Sequence, residues 1–176
     1  MLLTDLVGYT ALSEQLPPDR LLDHLGRYLE VVVGSVQSEG GDVLKFIGDG
    51  VLSIFPVREG GPTEAVHRAL RALEAALMRA EQVGDLRFIG CLHVGPVTYG
   101  NIGSPDRLDF TVVGPTVNLV SRLETITKRT SNVAVCSQEV AALLPAEAAR
   151  ALGMFALRGV PGEQTVFQLC ELGKRT

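Results

Sequence analysis

Apolar positions along the chain recur with two spacings that take turns. Between Pro17-Pro18-Asp19 and Gly40-Gly41, the residues Leu22, Leu25, Leu29, Val32, Val33 and Val36 fall on one helical stripe, and the glycine pair ends it. A second stripe follows Pro62 with Val66, Ala69, Leu70, Leu73, Ala76, Leu77 and Ala80. A third runs from about Thr116 to Lys128, with Val117, Val120 and Leu123 inward and a proline in the favoured first position. Asp5 to Thr10 turns into a helix, and Ser137 caps a short one. Between these lie short apolar runs that read as strands. They are the first three residues, Asp42 to Ile47, Val51 to Phe55, Leu86 to His93, Val97 to Tyr99, Leu108 to Val113, Asn132 to Cys136, Met154 to Leu157 and Thr165 to Leu169. Gly48-Asp49-Gly50 between two of them is a hairpin signal.

The order strand, helix, strand, strand, helix, strand, with additions, predicts an α+β fold. It is the ferredoxin-like split βαβ plan, a mostly antiparallel sheet with helices on one face. A partner covering the other face fits the high apolar content. Without repeats or low-complexity tracts, the 176 residues read as one domain over 1–176.

Composition narrows the function. At 46% apolar and 20% charged the chain builds a core. A net charge of −4 leaves no basic field for nucleic acid or an anionic membrane. The three cysteines, Cys91, Cys136 and Cys170, are far apart and lack metal or disulfide spacing, which suits a reducing compartment. No run is long and apolar enough for a transmembrane helix, and the N-terminus lacks the features of a secretion signal. The expectation is a cytoplasmic chain, with any sensor domain lying upstream of it.

Candidate chemistry starts with Asp5 and Asp49. Asp5 ends a central strand before a glycine-containing turn, and Asp49 sits at the tip of a hairpin whose strands should lie beside the first. Two carboxylates at neighbouring strand ends can hold magnesium, which leaves its other positions to water and phosphate. The following turn, Val7-Gly8-Tyr9-Thr10, would aim backbone N–H groups at the same place. Taken singly, Asp49 is a turn residue and Asp5 a helix cap; it is the joint placement that points to metal. Lys45 stands inside an apolar strand four residues before Asp49. Four strand residues span up to about 13 Å, so one small group hardly touches both. Its plainer role is an ammonium reaching past the sheet edge. Asn118 and Arg122 share a helix face outside the apolar stripe, where a solvated polar face is the plainer reading, and Thr111 lies on the strand feeding that helix. His24, His67 and His93 show no metal spacing and are assigned structural or surface roles.

In this setting the chain resembles the catalytic domain of the class III nucleotidyl cyclases, the adenylate and guanylate cyclases, over nearly its whole length. Thr4-Asp5-Leu6-Val7-Gly8-Tyr9-Thr10 resembles the family's first metal motif. Lys45-Phe46-Ile47-Gly48-Asp49-Gly50 resembles the motif joining a base-reading lysine to the second metal aspartate. Asp109 to Asn118 with Arg122 resembles the third, and Tyr99-Gly100-Asn101-Ile102-Gly103 is family-like.

The resemblance implies a nucleotide cyclase fold and a set of roles. Asp5 and Asp49, with the Leu6 carbonyl, would bind two Mg2+ or Mn2+ ions. Lys45 and Thr111 would read the purine, Asn118 would orient the ribose, and Arg122 would stabilise charge on the phosphoryl group. Arg158 would stand where the family often has a triphosphate-touching lysine. A head-to-tail homodimer would hold two interface sites, with metals from one subunit and base and transition-state groups from the other. The substrate would be ATP, because Lys45 donates and Thr111 can accept, matching N1 and N6 of adenine. Threonine at 111 also resembles the subclass that includes bicarbonate-responsive cyclases. Two departures stand out. Only four residues precede Asp5, so the first strand is shortened relative to the family. Gly40-Gly41-Asp42 continues as Val43-Leu44, unlike the signature of diguanylate cyclases. The rival from another class is a catalytically silent dimerisation or nucleotide-binding module. A purely structural subunit would leave Lys45 and the paired aspartates without purpose.

Overall fold

The first strand, β1 (Leu2–Leu6), is buried along its whole length and lies at the heart of the sheet. A computed structural model describes residues 1–83, 86–104, 107–170 and 172 of the chain. In order follow α1 (Tyr9–Gln15), α2 (Pro18–Ser38), β2 (Asp42–Ile47), β3 (Gly50–Ile54), α3 (Gly61–Val83) and β4 (Phe88–Leu92). Then come β5 (Thr98–Ser104), β6 (Arg107–Val113), α4 (Pro115–Thr130), β7 (Ala134–Ser137), α5 (Gln138–Ala141), β8 (Ala149–Ala156) and β9 (Glu163–Leu169). Seven strands form one sheet in the order β2-β3-β1-β4-β7-β9-β8, and β5 and β6 form a separate hairpin. All pairs in the large sheet are antiparallel except β4 with β7.

Short as it is, β1 pairs with β4 from Leu2–Leu92 to Leu6–Phe88 and with β3 from Leu2–Ser53 to Asp5–Gly50. Alternate side chains go to opposite faces. Leu2 and Leu6 join Val51, Phe88, Leu92 and Cys136 under α2 and α3. Leu3 joins Leu52, Cys91 and Val135 under Val120, Leu123 and Ile126 of α4.

The fold is α+β, as the element order predicts, but the helices are not all on one face: α2 and α3 cover one side and α4 the other. Strands buried on both faces lose their polar alternation, which is why β3 and β4 read as nearly continuous apolar runs. A second difference lies in α2. Leu22 is 65% exposed, and the face turned inward carries His24, Tyr28, Val31, Val32, Ser35 and Val36. Tyr28 can be fully buried because its hydroxyl pairs with Thr4 Oγ1 at 2.7 Å.

Candidate active site

Asp5 is next to last in β1, on the same side of the sheet as Leu3, and so faces α4. Directly opposite it on β3 is Gly50, whose neighbour is Asp49. The hairpin closes with Ile47 paired to Gly50 around the two residues Gly48 and Asp49. Of those two only Gly48 has positive φ, at 62°, the sign pattern of a type II′ turn. The two aspartates therefore lie at the same end of the sheet, close enough for the Asp49 charge to act on Asp5.

Gly50 makes the room. A Cβ there would lie 3.3 Å from Asp5 Oδ1 and 3.2 Å from the Ile47 carbonyl. Asp5 is only 6% exposed. Burial pushes its carboxyl above the usual carboxylate range; the nearby Asp49 and Glu124 charges push the same way, and Lys128 opposes them. Lys128 Nζ lies 2.6 Å from Asp5 Oδ2 and 2.7 Å from Glu124 Oε1. The first contact is a direct ion pair, and the ammonium is the one described partner of Oδ2, which is shielded from water.

These residues fit a hard divalent cation. The donor set is a buried carboxylate whose inner oxygen meets, among the described residues, only a lysine ammonium, and a second, half-buried carboxylate near it. Among the described residues no group of three His, Cys, Asp or Glu side chains converges as a metal cage. Magnesium commonly takes one or two carboxylates and fills its other positions with water and phosphate oxygens.

The turn after β1 departs from one expectation. Val7 N–H donates to the Arg87 carbonyl at 2.8 Å, extending the ladder, so it is not free for a phosphate. Gly8, at φ 78°, precedes α1, and Tyr9 and Thr10 lie in its first turn, where N–H groups have no acceptor within the helix. Asp5 does not cap this helix.

A second group of predicted residues gathers elsewhere. Lys45 is half-buried on β2, just past a register shift between Val43 and Lys45. A bulge of this kind re-aims the side chains that follow it. β2 packs against β6, which carries the half-buried Thr111 opposite Gly100. Asn118 and Arg122 are exposed on α4. Arg122 Nε donates to the Arg158 carbonyl at 3.0 Å, so Arg122 meets the β8–β9 turn in which Arg158 is exposed. Asn118 and Lys128 are ten residues apart on α4, about 15 Å along the helix. The ribose candidate of one chain thus stands well away from the metal candidates of the same chain. The side chains of Asp109 and Phe110 lie outside the described residues.

Sequence reasoning passed over Glu124, Lys128, Tyr28 and Gly50. The first two form an ordinary i,i+4 pair, indistinguishable in sequence from a solvated face. Gly50 was legible only as a turn glycine. His93 keeps its structural role: it is buried, with Nδ1 2.8 Å from Ser137 Oγ.

The family model described as the adenylate and guanylate cyclase catalytic domain matches residues 1–171. The chain belongs to that family. It is 32% identical over 140 residues to an adenylate cyclase of Anabaena cylindrica, a match covering 73% of this chain and 27% of that protein. It is 30% identical over 133 residues to adenylate cyclase 1 of Rhizobium meliloti, covering 71% and 20%. The matches therefore span only about a fifth to a quarter of the length of these relatives. Among solved structures, the adenylyl cyclase CyaB from P. aeruginosa superposes with a TM-score of 0.79 at 26% identity, covering 96% of this chain and 91% of that one. The guanylyl cyclase Cya2 shares the fold, with a TM-score of 0.78 at 24% identity over 98% and 91%.

Proposed function

We propose that the chain is the catalytic part of an adenylate cyclase, converting ATP to 3′,5′-cyclic AMP and pyrophosphate at two sites shared across a homodimer. The observation that supports this reading is the nearness of Asp5 and Asp49 at one end of the sheet. Two Mg2+ or Mn2+ ions held there, with help from the Leu6 carbonyl, would lower the pKa of the ribose hydroxyl and neutralise the triphosphate.

The remaining work falls to the chain's own groups. Lys45 donates to N1 of adenine and Thr111 accepts from N6; guanine would mismatch both, at about 1–3 kcal/mol for each buried group left unpaired. Asn118 orients the ribose so that its 3′-oxygen attacks the α-phosphorus as the bond to pyrophosphate breaks. Arg122 offers a planar fork to the charge that builds there, and the Arg158 carbonyl holds that fork in place. Arg158 itself meets the triphosphate with the amides of Gly8, Tyr9 and Thr10.

A dimer is supported by apolar surface. Phe46 and Ile47 on the edge strand β2, with Val57, Tyr99 and Val113, are exposed. They lie on and beside the elements that carry Lys45 and Thr111. The separation along α4 favours metals from one subunit and reactive groups from the other. Free cysteines agree with a reducing, cytoplasmic setting, and no helix among the described residues is long and apolar enough to cross a membrane.

The test is purified protein with Mn-ATP and Mn-GTP, scored for both cyclic products. Cyclic AMP with a clearly higher kcat/KM for ATP is expected. Equal values would overturn the base assignment, and no product from either nucleotide would leave the silent module.

A further inference from the structure

The Lys128 ammonium occupies the approach to the very oxygen that a metal ion would use. It touches Asp5 Oδ2 at 2.6 Å and has a second anchor at Glu124, 2.7 Å away. We infer that Lys128 is a displaceable counter-ion: it neutralises Asp5 while no cation is bound, and it withdraws onto Glu124 when one arrives. This rests on the reading of Asp5 and Asp49 as metal ligands.

Three features argue for exchange over a permanent bridge. The partner at Oδ2 is a single monovalent cation on a flexible stem, and a dication at the same oxygen gains more Coulomb energy than it displaces. Lys128 is in the last turn of α4 and about half exposed, so its side chain can swing aside without disturbing the core. Glu124 lies one turn back on the same helix, and retreat costs the ammonium only one of its two partners. Without a counter-ion, Asp5 would be a buried carboxylate beside a second one, the arrangement least tolerated when no cation is present. Lys128 is thus a positioning residue that balances the charge of Asp5 when no cation is bound. Every dication that binds must compete with it.

The geometry implies opposite effects on stability and affinity, which a purely structural bridge would not produce. Take the full chain without nucleotide. Measure its melting temperature without metal, and its Mn2+ affinity from the loss of the free-ion EPR signal. Lys128→Met should melt about 3 °C lower than wild type without metal, yet bind Mn2+ about fivefold more tightly. Lys128→Gln should do the same, which guards against a packing fault at one substitution. Glu124→Gln should weaken Mn2+ binding, and by more in the wild type than in Lys128→Met, because part of its effect passes through the lysine.

Unchanged or weaker Mn2+ binding in both Lys128 variants overturns the counter-ion role, as does an equal Glu124→Gln penalty in the two backgrounds. Asp5→Asn separates this failure from that of the metal reading. If wild type binds no Mn2+, or Asp5→Asn binds it undiminished, the metal assignment falls and takes the counter-ion with it. Binding that needs Asp5 but ignores Lys128 overturns the counter-ion alone.

Discussion

At the scale of single residues, buried polar groups carry consequences out of proportion to their number. Tyr28 and Thr4 satisfy each other at 2.7 Å inside the core beneath Asp5. Tyr28→Phe removes one partner and strands the other, at a cost of about 1–2 kcal/mol, to be read from urea midpoints. His93 gives the pH dependence. Burial lowers its pKa below the ordinary 6.5; the Met1 amino group adds to this and the Glu139 carboxylate opposes it. Below about pH 6.5 the unfolded chain takes up the proton before the folded one does, so stability is lost as pH falls toward the lowered value. The wild type should lose urea resistance between pH 7 and 5, and His93→Gln should lose less. Cys91, wholly buried with its thiol pushed up to about 12, should resist thiol reagents in the native protein.

At the scale of elements, the hairpin from β2 to β3 is where local chemistry becomes function. Gly50→Ala would press a Cβ against the Ile47 and Thr4 carbonyls as well as Asp5 Oδ1. Backbone oxygens yield little, so a loss of about 1–3 kcal/mol is expected by denaturation, together with weaker Mn2+ binding. This hairpin was legible in the sequence because Gly-Asp-Gly between apolar runs has one common structural meaning. The helix after Pro115 was legible too, down to Asn118 and Arg122 on its polar side. What stayed hidden has physical reasons. Leu22 fits an i,i+3 series, but Tyr28 and His24 are buried instead, since a paired hydroxyl or ring can enter a core that no leucine count reveals. The register shift before Lys45 depends on pairing across strands, and a single strand's residues do not encode it. The second helical layer escaped notice because β4 and β7 are joined in parallel across a crossover that includes α4. The acceptor that claims the Val7 N–H, the Arg87 carbonyl, is far away in sequence, so local residues do not encode it.

At the scale of the whole molecule, the shared-site reading makes a sharp prediction. Asp49→Ala and Arg122→Ala should each be nearly inactive, and mixing them should restore activity, since a mixed dimer keeps one intact site. No recovery after demonstrated subunit exchange would refute the cross-subunit assignment. The sheet itself adds something else. It consists of two antiparallel blocks, β2-β3-β1-β4 and β7-β9-β8, stitched by one parallel seam of three residue pairs, Gly90–Ala134, Cys91–Val135 and Leu92–Cys136. The seam can part without breaking either block, and α4, which packs on β1, β4 and β7, is the strap across it. Amides of β8 and β9 should therefore exchange with deuterium before those of β1 and β3. Any loosening of that strap would let the Arg158 turn drift from the Arg122 guanidinium long before the chain unfolds.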